Sequence, residues 1–525
     1  MTLTIERPAR RTAQAPAKPA HDRVARRLAI VASVVSIAAF AFFYAKGDIL
    51  AYRDAISHLE IAQRVFEGST PGPAQLGGVW LPLPHVLMLP FVWINALYYS
   101  GIAGSIVSMA AFVVTTVFLY KITYTLSGRK LAGIVSAIVF MANPNVLYLQ
   151  STPMTEVLLF ACMAGLVYGA QRWAQTENPR YLMGAGVAGL LGTLTRYEAW
   201  VLLAAIAIVL LIVARRRGYG RTKTEGLTLV FLYIGAIGPI GWVVWNWLLF
   251  NNPLAFQEGT YAKPSLWVGT GELAVGNWWV SSQTYFYAVL DNIWPAVAIL
   301  AALGMVAALV KGRPFINFLP AFSLLTLFPF FVLALYLGQR PLHVLQLESN
   351  LYNVRFGLLM VLPASIFIGY LASVFSGHKL REGVAAGLIM VLSLSLTFAS
   401  VVSLNNISTF KEIGYLMTDP IIVPSDQASN FLVHHYDGGK VLMESFGNEL
   451  VLYKAQIPTK VNIYEGSYLQ WGLALKDPAG SNVKWIVMRH TAQPDQVYQN
   501  LHGSSALKKY KLVYSNSAYS IYEKE

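Results

Sequence analysis

Residues 47–91 read GDILAYRDAISHLEIAQRVFEGSTPGPAQLGGVWLPLPHVLMLPF, and they gather acids, arginines and histidines in a chain with only 12% charged residues. From Asp54 to Glu67 the spacing predicts an amphipathic helix, with Asp54 and His58 four residues apart on one face. An apolar stripe runs beside them, formed by Ala55, Leu59, Ala62 and Phe66. The prolines and glycines that follow predict that residues 80–99, which include His85, break and re-enter and do not cross a membrane as one helix.

Composition indicates the class of protein around this segment. With 525 residues, of which 55% are hydrophobic, the chain has too few polar side chains to cover a water-soluble globule. We therefore predict a polytopic α-helical membrane protein. The net charge of +13 resides largely in short basic segments between apolar runs, which places those segments and the N-terminus in the cytoplasm and does not indicate nucleic-acid binding. The single cysteine, Cys162, excludes an intrachain disulfide.

About eleven apolar runs are candidates for transmembrane helices. They lie near residues 28–46, 100–121, 131–149, 154–171, 182–195, 199–214, 227–249, 293–310, 315–337, 356–375 and 384–404. An odd number of crossings from a cytoplasmic N-terminus puts the C-terminus outside. The basic clusters then all fall on the cytoplasmic side, which supports this topology.

The chain divides into three parts. Residues 1–27 are predicted to be a disordered basic cytoplasmic arm, and residues 28–418 a transmembrane module whose first external loop is 47–99. From residue 419 the apolar pattern ends, and 419–525 reads as a small soluble extracytoplasmic α/β domain. Its predicted elements are a helix near 427–435 and strands near 440–444, 483–489, 510–515 and 518–523.

Asp54 is the first residue to which we assign chemistry. A carboxylate just outside a membrane, at the start of an amphipathic helix, is suited to accept a proton from a hydroxyl group. The alternative is that Asp54 only caps that helix, where aspartate is favoured for structural reasons. Chemistry alone leaves both interpretations open.

Two arginines are candidates for binding an anion. Arg355 stands at the external entry to a span, where its guanidinium fork matches phosphate oxygens. Its alternative role is to snorkel to lipid headgroups, with Glu348 as an ion-pair partner. Arg196 competes for the phosphate role, although its neighbour Glu198 equally indicates a structural ion pair.

The remaining candidates are weaker. Glu156 begins a span, where a carboxylate also complements the helix dipole. His58 and His85 could bind a metal together with Asp54, but one carboxylate with two distant histidines is a weak signal and a polar lining role is favoured. We find neither a D-x-D motif nor the string WWDYG, so the sequence favours no metal cofactor, although a divalent ion stays an open alternative.

The order of these parts, together with several short strings, resembles the GT-C superfamily of polyprenyl-phosphate-sugar-dependent glycosyltransferases, which includes protein O-mannosyltransferases and the lipid A aminoarabinose transferase. The strings are YRDAISHL at 52–59, VWLPLPH at 79–85, PMTE at 153–156, TRYE at 195–198 and NVRFG at 353–357. The resemblance implies that Asp54 is the catalytic carboxylate. From the chemistry of their guanidinium groups we assign donor-phosphate roles to Arg355 and Arg196. Substrate-lining roles are assigned to His58, His85, Glu156, Glu198 and Asn353, and for Glu156 the resemblance adds support. Protein O-mannosyltransferases tend to have two adjacent acids in the first loop, whereas Ala55 follows Asp54 here.

The sequence thus predicts a plasma-membrane glycosyltransferase. It would move a sugar, with inversion, from a polyprenyl-phosphate carrier to a glycan, lipid or protein acceptor on the outer face. A transporter or flippase of a lipid-linked sugar is the main alternative, and it would need ionisable residues near the middle of the bilayer. A scaffold whose external domain binds a partner is a third. Acids that gather on one face favour the enzyme.

Overall fold

The computed structural model describes residues 22–375 and 379–525, so most of the predicted N-terminal arm lies outside the described residues. The described chain is mostly helical and ends in a small sheet domain. In the first half the helices are α1 Arg23–Ala45, α2 Arg53–Glu67, α3 Leu83–Val92, α4 Asn95–Tyr99, α5 Ile102–Ser127, α6 Lys130–Met141, α7 Pro144–Leu149, α8 Glu156–Thr176, α9 Pro179–Thr193, α10 Glu198–Arg216, α11 Arg221–Gly235 and α12 Ile237–Phe250. In the second half they are α13 Ala255–Glu258, α14 Trp278–Ile293, α15 Pro295–Lys311, α16 Leu319–Phe322, α17 Leu327–Tyr336, α18 Val361–Val374, α19 Lys379–Val402, α20 Ser408–Leu416, α21 Ile422–His435, α22 Glu449–Lys454, α23 Leu469–Lys476 and α24 Gln496–Leu501.

Seven helical stretches within the described residues are long and apolar enough to cross a membrane, or up to nine if each of two bent pairs counts as one span. The protein is therefore a multi-pass membrane protein, and the predicted count of eleven is not confirmed. The predicted span 131–149 is two short helices, because Pro144 begins α7 and Asn143 caps it by accepting the Val146 N–H at 3.0 Å. The predicted spans 227–249 and 293–310 belong to the bent pairs, with bends of 45° and 103°.

The helices have two chemically distinct ends. At one end, Asp22 before α1 accepts a hydrogen bond from Tyr120 of α5 at 3.3 Å, and Arg129 approaches Glu382 of α19 at 3.9 Å. At the other end, α8 and α10 begin with Glu156 and Glu198. Helix α10 runs from that acidic end to a C-terminal turn containing Arg215 and Arg216. Basic and acidic groups thus lie at opposite ends of this span.

The amphipathic helix predicted at 54–67 is α2, Arg53–Glu67. Ala55, Leu59 and Ala62 are fully buried, so the predicted stripe faces the membrane module. Phe66 was expected in that stripe but is 52% exposed, since it lies in the last turn of α2, where the chain leaves the module. After α2 the chain does break as predicted, through the 3₁₀ segment Pro73–Leu76 and the short helix α3.

The C-terminal part is an α/β unit built on one mixed sheet. Its strands are β1 Lys440–Leu442, β2 Asn462–Ile463, β3 Val483–Arg489, β4 Tyr510–Ser515 and β5 Tyr519–Lys524, in the order β2-β1-β3-β5-β4. Strand β1 pairs parallel with β2 and β3, whereas β5 pairs antiparallel with β3 and β4. Alternate residues of β3 enter separate apolar clusters, as expected for a sheet covered on both faces: Trp485 and Val487 enter one, and Ile486 and Met488 the other. The predicted strands are observed, and β2 was missed because it is only two residues long.

The sheet domain is docked directly on the first loop. Tyr453 of α22 donates a hydrogen bond to the Tyr98 carbonyl at 2.7 Å, and Ser445 contacts both Glu60 and Arg64 of α2. A further contact joins Ser69 and Ser467 at 2.7 Å. Helix α2 therefore lies between the membrane helices and the C-terminal domain, and it contacts both.

Candidate active site

Arg355 lies at the centre of a buried ionic network. Its Nη2 is 2.6 Å from Asp54 Oδ2, its Nε is 3.1 Å from Glu156 Oε1, and its Nη1 is 3.5 Å from Glu412 Oε1. The guanidinium also lies over the Tyr52 ring at 4.9 Å. Residues from the first loop, from the start of α8 and from α20 thus converge on one cation. The pairing with Glu348 that we considered is not observed, because Glu348 approaches His343 instead, at 3.7 Å.

Asp54 is the open end of this network. Its side chain is 41% exposed, whereas those of Glu156 and Glu412 are at most 1% exposed. Tyr52 is the N-cap residue of α2, and Asp54 stands in the first helical turn, so the interpretation that Asp54 only caps the helix is not supported. Within the described residues Oδ2 is held by Arg355, and Oδ1 has no hydrogen-bond partner. A carboxylate held by one oxygen and free at the other can accept a proton from a molecule outside the network.

Arg196 extends the network. Its Nη1 donates to Glu156 Oε1 at 3.1 Å and to Thr155 Oγ1 at 3.1 Å, and its Nη2 donates to Glu198 Oε1 at 2.8 Å. The single atom Glu156 Oε1 is therefore shared by Arg196 and Arg355. The ion pair between Arg196 and Glu198 that the sequence suggested is present, and Glu156 is more than a helix-start acid.

His58 and His85 lie beside the network and bind each other. His58 Nδ1 is 2.9 Å from His85 Nε2, and the His58 ring lies 4.3 Å from that of Trp80. Burial, together with the nearby positive charges of Arg196 and Arg355, lowers the pKa of His58 to about 3. His58 is therefore neutral at physiological pH. Because it directs Nδ1 at His85 and Asp54 pairs with Arg355, the observed contacts do not form a metal-ligand set of Asp54 and the two histidines.

Asn353 has a positioning contact. It adopts a left-handed backbone conformation with φ 53°, which asparagine tolerates better than most residues, immediately before the 3₁₀ segment Val354–Met360 that carries Arg355. Its side-chain amide donates to the Pro341 carbonyl at 2.9 Å, and its backbone N–H donates to Glu412 Oε1 at 2.7 Å. Asn353 thus fixes the turn through which the chain reaches Arg355.

Two residues of the site were missed at the level of sequence. Glu412 is fully buried and receives hydrogen bonds from Asn353 and from the Tyr52 hydroxyl, the latter at 3.1 Å. Arg340 lies next to Pro341, and its pKa is lowered from the ordinary value because the group is partly buried and the Arg196 charge is nearby. Among the residues that the structure describes, Arg340 forms no ion pair. The available signals were an acid in an amphipathic stretch after the last predicted span and an arginine before a proline in a loop predicted to be external.

Comparisons with known proteins agree with this architecture. The family model described as dolichyl-phosphate-mannose-protein mannosyltransferase matches residues 94–245, less than a third of the chain. That segment contains Glu156, Arg196 and Glu198 but neither Asp54 nor Arg355. No curated protein sequence matches.

Similar solved structures cover nearly the whole chain. ArnT from Cupriavidus metallidurans bound to undecaprenyl phosphate is 13% identical, covers 95% of this chain and 97% of its own, and has a TM-score of 0.55. The apo form of the same protein is 11% identical, covers 95% and 98%, and has a TM-score of 0.54. An oligosaccharyltransferase from Archaeoglobus fulgidus is 10% identical over 95% of this chain and 74% of its own, with a TM-score of 0.49.

These findings define the class of protein: a multi-pass membrane protein with the GT-C glycosyltransferase fold. The resemblance stated from the sequence is thereby confirmed. Within that class, residues 94–245 are similar to the mannosyltransferase family and the whole fold is similar to that of ArnT.

Proposed function

We propose that the protein is a glycosyltransferase that transfers a sugar from a polyprenyl-phosphate carrier to an acceptor hydroxyl on the outer face of the membrane, with inversion. The observation that carries the proposal is the exposed carboxylate of Asp54, held at 2.6 Å by a buried arginine. The structure of ArnT, which has a similar fold, contains bound undecaprenyl phosphate, and this supports a carrier of that chemical class.

In the proposed reaction the acceptor oxygen attacks the anomeric carbon, and the bond from that carbon to the phosphate oxygen breaks. Asp54 Oδ1 receives the hydroxyl proton and later releases it to solvent. The bonding electrons leave with the lipid phosphate, which is a good leaving group and needs no general acid. The neutral His58 lies on the same helix face, one turn beyond Asp54, where it can line the acceptor side.

The donor phosphate needs cations that are not already neutralised. Arg355 and Arg196 are bound by Asp54, Glu156, Glu198 and Glu412, so two guanidinium groups face four carboxylates. Arg340 supplies a third guanidinium that forms no ion pair within the described chain and is close enough to Arg196 for the two charges to interact. We therefore extend the predicted phosphate site from Arg355 and Arg196 to Arg340, with Arg355 chiefly orienting Asp54.

The charge pattern supports the proposed outer-face location. The network lies on the side that carries the C-terminal domain, since Arg53, next to Asp54, pairs with Asp419 at 3.2 Å. Helix α10 has Glu198 at this side and Arg215 and Arg216 at the other, which is the asymmetry of the positive-inside rule. Ionisable groups at helix starts on one side fit an enzyme working at one surface better than a transporter, and the proposed transfer itself requires no metal.

The test is Asp54→Asn in the full-length protein, reconstituted in vesicles with short-chain polyprenyl-phosphate sugars as a donor panel. We expect transfer, measured as released lipid phosphate and glycosylated acceptor, to fall by roughly 10²- to 10⁴-fold because the proton acceptor is lost. The polyprenyl lipid that copurifies, quantified by mass spectrometry, should stay unchanged.

Asp419→Asn is the matched control, because it removes an exposed acid on the same side, which pairs with the half-buried Arg53. Transfer that survives in Asp54→Asn would remove Asp54 from the mechanism. Movement of the carrier across the vesicle membrane without any transfer by the wild type would favour the flippase.

A further inference from the structure

A second cluster of ionisable groups lies in two loops outside the network of Arg355. Glu272 belongs to the segment between α13 and α14, whereas His343 and Glu348 belong to the segment between α17 and residue 354. One side-chain ligand atom from each residue lies within 4.8 Å of the other two. His343 Nε2 is 3.0 Å from Glu272 Oε2 and 3.7 Å from Glu348 Oε2.

The imidazole of His343 is held in a fixed orientation. Its Nδ1 is 2.9 Å from Asn350 Oδ1, so a proton on Nδ1 is donated to the amide oxygen. The backbone groups of His343 and Tyr352 pair with each other in both directions, at 2.9 and 3.2 Å. In the tautomer with the proton on Nδ1, the lone pair of Nε2 points at the two carboxylates. A histidine whose outer nitrogen is bound by an acceptor, and whose inner nitrogen faces carboxylates, has the arrangement typical of a metal ligand.

The charge of the cluster also favours a cation. Within the described part of the chain, no lysine or arginine pairs with Glu272 or Glu348, and His343 is the one basic partner of both. Their side chains are only 14% and 21% exposed, so water screens their mutual repulsion poorly. A divalent ion would neutralise both carboxylates.

We propose that Glu272, His343 and Glu348 bind a divalent transition-metal ion of the Zn²⁺ class. One imidazole nitrogen and two carboxylate oxygens, with water completing the coordination, form a ligand set that Zn²⁺ accepts. Ligands at about 2.1 Å from Zn²⁺ in a tetrahedron are ~3.4 Å apart. The distances from His343 Nε2 to Glu272 and Glu348, 3.0 and 3.7 Å, lie on either side of that spacing, so small side-chain shifts would form the site. This inference does not depend on the proposed transfer reaction.

The ion would link two loops, because its ligands come from both of them. The loop that holds His343 and Glu348 also carries Arg340, and it continues through Asn353 to Arg355. Binding the loop to Glu272 would restrain both arginines from outside the reaction centre. The metal would therefore position the loop and would take no part in the proposed transfer step.

The test uses the full-length protein with a non-histidine affinity tag, stripped with a chelator and then titrated with ZnCl₂ alone. We expect one Zn²⁺ per chain by elemental mass spectrometry, and X-ray absorption showing one imidazole nitrogen with oxygen ligands. Asn350→Leu, which removes the group that orients His343, should weaken Zn²⁺ binding by roughly 10- to 100-fold without removing a ligand.

His343→Gln and Glu348→Gln should abolish stoichiometric binding, whereas His434→Gln, at an exposed histidine of the C-terminal domain, should not. The melting temperature of each metal-free variant shows whether the chain still folds. Equal zinc content in wild type and His343→Gln would overturn the proposal, as would wild-type protein that binds no Zn²⁺ or prefers Ca²⁺. Because binding is measured directly, a failure here leaves the test of Asp54 unaffected.

Discussion

Two of the carboxylates of helix α2, Asp54 and Glu60, have the same kind of partner and different surroundings. Asp54 is bound by Arg355 at 2.6 Å with its side chain 41% exposed, and Glu60 is bound by Arg64 at 2.6 Å with its side chain 6% exposed. The Asp54 pair joins residues 301 positions apart, whereas the Glu60 pair joins neighbouring turns of one helix. Ion-pair distance alone therefore does not distinguish the carboxylate proposed to be reactive from a structural one.

What differs is the remaining coordination. Glu60 Oε2 also accepts from Ser445 of the C-terminal domain at 3.3 Å, and the Arg64 guanidinium lies over the Tyr464 ring at 4.1 Å. The second pair is thus enclosed by the docked domain. The Asp54 network has an open edge and lies near Arg340, which forms no ion pair with any residue in 22–375 or 379–525. An open carboxylate next to an unpaired cation can bind a substrate, and an enclosed pair cannot.

The largest effect on stability and transfer should come from Arg355→Ala, which removes the central residue of the network. Arg355→Ala leaves Glu412 buried without its cation, and loss of one partner of a buried ion pair costs about 3 to 5 kcal/mol. We expect a large drop in the thermal midpoint in detergent as well as loss of transfer. Reduced donor binding by this variant alone would therefore not establish a phosphate role for Arg355.

Arg53→Ala serves as the control, because the ion pair of Arg53 with Asp419 is exposed, at 30% and 44%, and should contribute at most about 1 kcal/mol. Arg355→Lys keeps the charge but loses the fork, so it separates the two roles. An Arg355→Ala protein as stable as the wild type would contradict the central position of this residue.

A variant of Arg340 tests whether an arginine without an ion pair in the described chain binds the donor. If the arginine without an ion pair binds the donor phosphate, Arg340→Gln should raise the KM for the donor roughly 10- to 100-fold and change kcat less, because a charge-assisted hydrogen bond is worth about 1.5 to 3 kcal/mol. Stability should change little, since no buried acid loses a partner. Initial rates over a range of donor concentrations measure the effect.

Lys263→Gln is the matched control, since Lys263 is an exposed cation in a loop that also contacts the C-terminal domain through Tyr261. An unchanged KM in Arg340→Gln would leave the phosphate to Arg196 and Arg355.

The sequence predicted local features well, for identifiable reasons. The amphipathic period gave α2 to within one residue, and alternation with β-branched residues gave β3 and β4 at their observed bounds. Asp54 and Arg355 were each assigned to the site from the sequence, and they do contact each other. The role of Asp54 came from a family resemblance and that of Arg355 from the chemistry of its guanidinium, because no local pattern relates residues 301 positions apart.

The missing parts depend on tertiary contacts. Glu412 reads as one charge in a short amphipathic helix, and only the fold shows that it lies under Arg355. The predicted count of spans is not confirmed. The predicted run 131–149 is interrupted at Asn143-Pro144, where a proline begins a new helix, and the predicted run 227–249 contains a bend of 45°. Hydropathy averaged over a window does not detect such a break. A proline marks it, because proline is favoured in the first turn of a helix.

The smallest expected effect is on the pH dependence of stability, and it comes from the enclosed pair of Glu60 and Arg64. Burial raises the pKa of Glu60 from 4.5 to about 7, against the opposing charge of Arg64. Because the folded chain binds this proton more tightly than the unfolded chain does, the stabilisation is complete below about pH 4.5 and is lost as the pH rises through about 7. Between pH 5.5 and 8 we expect a loss on the order of 1 kcal/mol from this group.

Glu60→Gln should flatten that profile, because both observed hydrogen bonds to Glu60 fall on one oxygen, which the amide carbonyl can replace. The thermal midpoint at the two pH values measures the difference, and Asp426→Gln, in an exposed pair with Lys454, is the control. Transfer per folded molecule should not change, since Glu60 does not belong to the network of Arg355. A profile as steep in Glu60→Gln as in the wild type would show that the enclosed pair does not titrate, and would assign the pH dependence to other buried acids such as Glu465, whose pKa is also about 7.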